Sequence, residues 1–338
     1  MLEKELFYNS QIKGLLTSII VTYNSEKYMY EAIDSVLDQD YPHIEMIVAD
    51  DGSTDFCEDT VKRYISEKSQ GNIDNVVIIH RKQNIGTVRN INDALAHSRG
   101  EFIKILGGDD TYPTKYVFSK QVAIMQKKQK QVVIGKTQQC DDKMHPIFDE
   151  RVEKSNKVLP MVLNMEYVEA RRYITKKDVF PIAIQAVCYH RSFFVKNGFC
   201  DEDYKVIDDA PAALTILKNA KNAVSMDEYT ANHRASVGIS SSIELFASRR
   251  ILYYQDCLTY AKKEVEPFPE IYGFLYRKEN VRINQFVYTA VKKKSEGKGK
   301  SSIILLSICY LDAIIFYIFT NLEKFVTRIK KRIGIMHI

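Results

Sequence analysis

Three pairs of adjacent aspartates could do chemistry: Asp50–Asp51 in "ADDGSTD", Asp109–Asp110 in "GGDDTYP" and Asp208–Asp209 in "VIDDAPAAL". A carboxylate pair suits a hard divalent cation such as Mg²⁺ or Mn²⁺, which takes one or two carboxylates and completes its shell with phosphate oxygens and water. A carboxylate also accepts hydrogen bonds from a base N–H or a ribose hydroxyl, and a well-placed one removes a proton as a general base. Each pair has a plainer reading as well. Asp50–Asp51 and Asp208–Asp209 could cap helices, and Asp109–Asp110 could sit in a solvated turn. Gly107 and Gly108 before the second pair would let the backbone approach a ligand closely.

The elements that must position these residues follow from periodicity. "LLTSIIV" (15–21), "IEMIVAD" (44–50), "NVVIIHR" (75–81) and "EFIKILGGDD" (101–110) are apolar runs of strand length. Between them, "SEKYMYEAIDSVLDQDYP", "TDFCEDTVKRYISEK" and "NIGTVRNINDALAHSRG" have helical spacing. Ser25 is the expected N-cap of the first helix, Ser53 can cap the second, and Gly100 is the expected stop of the third. Alternating strands and helices predict a mostly parallel α/β sheet, whose ligands sit beyond the carboxyl ends of the strands. Thr22–Asn24, Asp50–Asp51, Asn84–Gly86 and Asp109–Asp110 all fall at such ends. Beyond Pro113 a helix ("YVFSKQVAIMQKKQ") and a strand ("QVVIGKTQQ") are expected, then an irregular loop with short helices over about 141–180. A strand and helix at 182–199, a helix after Asp209 and two long helices after residue 242 complete the reading.

Composition bounds the function class. The chain has 338 residues, 45% apolar and 27% charged, with a net charge of +5. That balance is ordinary for a globular protein and too weakly basic to suggest a nucleic-acid partner. The six cysteines form no C-x-x-C pair, so they read as reduced thiols of a cytosolic protein rather than as a zinc site. The N-terminal stretch reads without a secretory signal.

Four segments occur in a fixed order: "SIIVTYN", "AIDSVLDQDYPHIEMIVADDGSTD", "NIGTVRNINDALAHSRGEFIKILGGDD" and "NGFCDEDYKVIDDAPAAL". Together they resemble the nucleotide-sugar-dependent, inverting glycosyltransferases of family 2. The resemblance covers roughly residues 18–240. It implies a GT-A (Rossmann-like) α/β fold, a mostly parallel sheet flanked by helices, with a C-terminal helical extension. It implies a nucleotide-sugar-binding part (1–115), an acceptor-binding and catalytic-base part (116–245) and a helical C-terminal region (246–338).

By that resemblance Thr22, Tyr23, Asn24 and Asp51, with Asp50 beside them, hold the nucleotide, usually uridine. Asn84, Gly86 and Arg89 match a further nucleotide-binding segment, here one residue shorter between Gly and Arg than in many members. The family's metal motif falls on Asp109 and Asp110, with Gly107 where many members have an aspartate. It implies Mn²⁺ or Mg²⁺ there, with Asp109 also near the ribose. Asp209 matches the general base and Asp208 supports it. Gln185 matches the acceptor side. His233, in "YTANHRASVGISSS", resembles a segment that closes over the diphosphate and joins the metal set. The implied activity is transfer of a hexosyl or N-acetylhexosaminyl group from a nucleotide-sugar, usually a UDP-sugar, to a glycan or lipid-linked glycan. Cell-surface polysaccharide or lipopolysaccharide assembly would use it. The rivals are a nucleotidyltransferase, which would carry a Gly-rich phosphate loop that "VTYNSEKY" lacks, and a catalytically impaired member that binds nucleotide or a partner.

"SSIILLSICYLDAIIFYIFT" (301–320) is the most apolar stretch, interrupted by Asp312 and flanked on both sides by lysines and arginines. Charge on both flanks disfavours a simple span. The favoured reading is a helix in the interface of an anionic membrane, with peripheral contact through 301–333 at the inner face of the cytoplasmic membrane. A core or dimer helix and a true span are the alternatives.

Overall fold

The computed structural model of the chain describes residues 7–177, 179–235, 247–297 and 306–320. The chain divides into two compact units, Met1–Ser242 and Ile243–Ile338. The part of the "YTANHRASVGISSS" segment beyond residue 235, and residues 301–305 and 321–333 of the basic apolar tail, lie outside the described residues.

The first unit is built on β1 (Ile12–Thr22), β2 (Ile44–Asp50), β3 (Ile73–His80), β4 (Gly100–Gly107), β5 (Val132–Cys140), β6 (Val187–His190) and β7 (Ala223–Arg234). They form one sheet in the order β3-β2-β1-β4-β6-β5-β7. Only β6 runs antiparallel to its neighbours. β1, β2, β4, β5 and β7 therefore end on one edge, and β6 begins there. The sheet is continuous across residue 115, so the donor and acceptor halves expected from the sequence share it.

Helices α1 (Glu26–Leu37), α2 (Glu58–Lys68) and α4 (Val117–Lys128) pack on one face, burying Met29, Ile33, Val36, Val61, Phe118 and Val122 against Leu16, Ile20, Met46, Val48 and Leu106. α3 (Thr87–His97) lies against β1 and β2 through a stripe of Val88, Ile91 and Leu95. Each large side chain buried in this way contributes about 1.5–3 kcal/mol. Every residue of β2 is buried, including Glu45, which the Arg99 guanidinium pairs at 2.8 Å, and Asp50 at its end.

Several local expectations are corrected. Ser25 occupies the N-cap of α1 but makes no side-chain cap; its hydroxyl donates to the Tyr23 carbonyl at 3.2 Å. Ser53 does not cap α2, which starts at Glu58 after Cys57, because its hydroxyl is taken by Asp50. Gly100 is the first residue of β4 rather than the stop of α3: a Cβ there would sit 2.5 Å from the Thr17 amide nitrogen, so only glycine lets β4 lie this close to β1. The irregular stretch 141–180 contains two sizeable helices, α5 (Glu150–Leu163) and α6 (Tyr167–Lys177). α5 is capped by Asp149, whose carboxylate accepts from the Arg151 and Val152 amides, and it carries Pro160 inside it, which masked its pattern.

The first unit is completed by α7 (Ser192–Asn197) and α8 (Asp209–Lys218). The second unit contains α9 (Ala247–Tyr260), α10 (Phe274–Ser295) and α11 (Leu311–Thr320). Among the described residues no helix is long and apolar enough to cross a membrane.

Candidate active site

Every acidic pair lies at the edge where the parallel strands end. Asp50 is fully buried. Its Oδ2 accepts from the amides of Gly52 (3.0 Å) and Ser53 (2.8 Å) and lies 2.9 Å from His80 Nδ1. These bonds close the turn after β2, and Gly52 takes the left-handed φ of 84° that the turn needs. A Cβ on Gly52 would strike the backbone of Gln83 at 2.8 Å, so the turn and the loop after β3 are in close contact. Asp51 fastens the same loop: its two oxygens accept from the amides of Ile85 (2.8 Å) and Gly86 (3.0 Å). Gly86, at φ 96°, lets the Lys205 carbonyl come to 3.2 Å from the Val88 amide. The loops after β2 and β3 and the approach to Asp208 are thereby tied together.

A cavity of about 200 Å³ opens beside this turn, lined by Thr22, Asn24, Lys27, Asp50, Ser53 and Phe56 among others. The Phe56 ring stacks on His80 at 5.0 Å and 17°. Asn24 sits at φ 50°, held by a 2.7 Å bond from its amide to the Ser53 hydroxyl. Of the residues expected at the nucleotide, Thr22, Asn24 and Asp50 line this cavity. Tyr23 is half-buried beside them, Asn84 is exposed, and Arg89 is half-exposed with its Nε 3.6 Å from Glu202. Lys27, Phe56 and His80 were not singled out from the sequence. The signal for Phe56 was an aromatic residue directly after "DDGSTD".

Asp109 and Asp110 follow β4. Asp110 accepts from the Arg234 amide at 3.0 Å and lies 3.2 Å from His233 Nδ1. Thr111 and Asn232 exchange backbone hydrogen bonds at 2.8 and 3.2 Å, which brings the end of β7 onto the segment after β4. β6 spans only four residues, pairing with Phe102–Lys104, and leaves that crossing open. β7 itself was not read from the sequence. Its central "DEY" is exposed, so the alternation of a half-buried strand is broken.

Burial and the neighbouring Asp110 push the Asp109 carboxyl up to about 6, and no side chain among the described residues donates to it. Burial opposes charge on His233, yet its bond to Asp110 and the fields of Asp109 and Asp209 outweigh that and raise it to about 9. Two adjacent buried carboxyl groups, one of them with no side-chain donor among the described residues, suit a divalent cation completed by phosphate and water oxygens. Among the described residues no group of three or more His, Cys, Asp or Glu is arranged to hold a metal ion. A Cβ on Gly107 would meet Asp109 Oδ1 at 2.8 Å, so the Asp109 carboxylate occupies the space that a residue with a side chain would fill.

Asp208 and Asp209 open α8. Asp209 Oδ1 accepts from the Ile184 amide at 2.7 Å, where a short 3-10 turn (Ile184–Ala186) leads into β6. Gln185, buried, is in that same turn. Burial, with the repulsion of Asp209, pushes Asp208 up to about 8. Burial also raises Asp209, which feels His233 and Asp110 across the site. Asp110, His233 and Asp209, far apart in sequence, thus share one electrostatic cluster.

Arg234 was missed, although it directly follows His233. It is fully buried: Nε donates to the Asp109 carbonyl at 2.9 Å, the guanidinium binds Glu31 at 2.6 Å and the Asp142 carbonyl, and it lies 4.2 Å over the Tyr28 ring. It holds the Asp109–Asp110 turn to α1 and to the loop after β5.

A mostly parallel α/β sheet with acidic loops gathered at the carboxyl ends of its strands, and a helical C-terminal part, is the GT-A fold of nucleotide-sugar enzymes. The chain belongs to glycosyl transferase family 2, whose model matches residues 17–195, just over half of it. It is 32% identical over 151 residues to the putative glycosyltransferase EpsE of Bacillus subtilis, covering 44% of this chain and 50% of that protein. It is 34% identical over 113 residues to the putative teichuronic acid biosynthesis glycosyltransferase TuaG of the same organism, covering 33% and 42%. The chain thus spans about half the length of these curated relatives. Among solved structures it resembles S. aureus TarS 1-349 in complex with UDP (TM-score 0.51, 16% identity, 95% and 92% of the two chains). It also resembles the mannosyltransferase PcManGT of Pyrobaculum calidifontis in complex with GDP-Man and Mn²⁺ (TM-score 0.53, 17% identity, 93% and 86%). At these identities the likeness is one of fold.

Proposed function

We propose that this family 2 member is an inverting, metal-dependent glycosyltransferase that moves a hexosyl or N-acetylhexosaminyl group from a UDP-sugar to an acceptor hydroxyl. The acceptor is a glycan or lipid-linked glycan of cell-surface polysaccharide or lipopolysaccharide assembly, met at the cytoplasmic face of the membrane. The observation that carries the reading is that one sheet gathers Asp110, 3.2 Å from His233, and the Asp209 carboxylate held by the Ile184 amide at the entry to β6. The nucleotide enters the cavity at Thr22, Asn24 and Asp50, where the Phe56 ring offers a stacking surface and Lys27 a cation for the diphosphate. Tyr23, Asp51, Asn84, Gly86 and Arg89 frame it. Asp109 and Asp110, with His233, are the residues that would hold Mn²⁺ or Mg²⁺, which supplies positive charge for the departing diphosphate.

Asp209 is the general base. The Ile184 amide fixes one of its oxygens, leaving the other to take the acceptor hydroxyl proton as that oxygen attacks the anomeric carbon from the side opposite the diphosphate. Asp208, driven toward its neutral form, keeps a second negative charge away from the base. Gln185, one residue from Ile184, stands on the acceptor side. The relatives support this setting through their names: TuaG is described as acting in teichuronic acid biosynthesis, and the PcManGT complex holds Mn²⁺.

The test is nucleoside-diphosphate release from a panel of sugar nucleotides with Mn²⁺, Mg²⁺ or EDTA, for the native chain and Asp209→Asn. Metal-dependent release from one donor, reduced at least ~10²-fold in Asp209→Asn while UDP binding persists, is expected. Equal turnover by Asp209→Asn, or failure to bind UDP with Mn²⁺, would overturn the reading.

A further inference from the structure

Within the second unit, α11 and the turn before it present two different faces. One packs: Ala313 is 0% exposed, and the Tyr310 ring lies 5.8 Å from Phe286 of α10 and 5.7 Å from the Arg282 guanidinium. The other is bare. Ile308, Leu311, Ile315 and Ile318 recur at helical spacing and are 64%, 54%, 44% and 38% exposed. Four bulky aliphatic side chains in a row form a stripe, whereas single exposed apolar residues are ordinary.

Charge around the stripe says what covers it. From residue 292 to 332 the sequence has ten lysines and arginines against three acidic residues, and basic residues stand on both sides of the helix. Lys292, Lys293 and Lys294 end α10, with Lys292 and Lys294 exposed. A second copy of the chain would bring two such basic segments together across a stripe of only a few hundred Å², far less than the roughly 1,200–2,000 Å² of a stable interface. A crossing helix is also disfavoured, since Asp312 interrupts the apolar stretch and basic residues follow it as well as precede it. An apolar helical stripe of modest length with basic flanks matches the boundary between acyl chains and anionic headgroups.

We infer that the second unit docks on an anionic lipid surface, with Ile308, Leu311, Ile315 and Ile318 dipping into the acyl boundary and the lysines that end α10 meeting the headgroups. The inference does not rest on the glycosyltransferase mechanism, because binding is read without turnover.

The experiment is co-sedimentation of the full chain with vesicles of phosphatidylglycerol and phosphatidylcholine, or of phosphatidylcholine alone. The native chain is expected to partition at least tenfold more strongly to the anionic vesicles, and to lose most of that binding at 0.5 M NaCl, where the Debye length is about 4 Å. Leu311→Glu/Ile315→Glu is expected to lose at least tenfold at low salt while keeping its thermal transition and UDP binding. Lys292→Glu/Lys293→Glu/Lys294→Glu, which leaves the stripe intact, is expected to weaken binding and flatten its salt dependence. Three results would overturn the inference: a native chain that stays in the supernatant, a stripe variant that binds as well as native, or sedimentation velocity showing a native dimer that the stripe variant dissociates.

Discussion

At the residue scale, the acidic pairs divide the labour that the sequence assigned to them. Asp50 and Asp51 spend much of their hydrogen-bonding capacity on the protein itself, closing a turn and pinning the loop at Gly86. Among the described residues Asp109 lacks a side-chain donor, and Asp209 keeps one oxygen without a backbone partner. Burial raises Asp209, so the acid limb of the kcat/KM profile is expected above the usual carboxylate range, with activity climbing as the base ionises. A pH–rate series checks this; a limb near 4 contradicts it. Gly107→Ala separates binding from stability. Its Cβ would displace only the Asp109 carboxylate, the end of a flexible side chain, so the thermal midpoint should barely move. Apparent Mn²⁺ affinity should fall about 10–100-fold, measured by metal titration of UDP binding. The sequence made the acidic residues visible through their pairing. It hid Arg234 and His80, because one Arg or His carries no pattern until its partners are in space.

At the element scale, a short antiparallel strand does much to build the site. β6 interrupts an otherwise parallel sheet, delivers the Ile184 amide to Asp209 at its entry, and begins only opposite the middle of β4, which leaves Thr111 free to meet Asn232. β4 must also lie close to β1. Gly100→Ala would put a methyl group 2.5 Å from the Thr17 amide nitrogen and 2.6 Å from the Phe102 carbonyl oxygen, both backbone atoms that cannot swing aside. It should cost about 1–3 kcal/mol, read from urea unfolding. The first four strands and three helices were legible because each buries an apolar face with a clear period. α5 and β7 were not: Pro160 interrupts one pattern, and the exposed Asp227–Tyr229 interrupts the other. Lys104 was read simply as part of an apolar strand. It is wholly buried, bonded to Gln121 Oε1 at 2.6 Å, and burial lowers it to about 8.

At the scale of the whole molecule, the site is held at a cost that pH exposes. Asp208 and His233 both have folded pKa values raised above their unfolded ones, to about 8 and about 9. A raised pKa gives stability that is complete below the unfolded value and is lost as pH climbs through the folded value. The thermal midpoint in EDTA should therefore fall as pH rises from about 4 to 9, with Asp208 contributing up to about 8 and His233 up to about 9. Asp208→Asn, which stays neutral, should flatten the decline, and scanning calorimetry at stepped pH measures it. A midpoint constant over that range would mean that the buried carboxyl is not under the strain described.

The sequence by itself determined the family, the α/β class, the acidic pairs and the edge on which they lie, because local periodicity and short motifs are properties of neighbouring residues. Tertiary structure alone decided that Asp209 shares a field with His233 and Asp110, that Asp50 rather than Asp51 lines the cavity, and that Arg234 clamps the turn after β4. Those relations join residues far apart along the chain, and only the packing of β7 and the brevity of β6 bring them together.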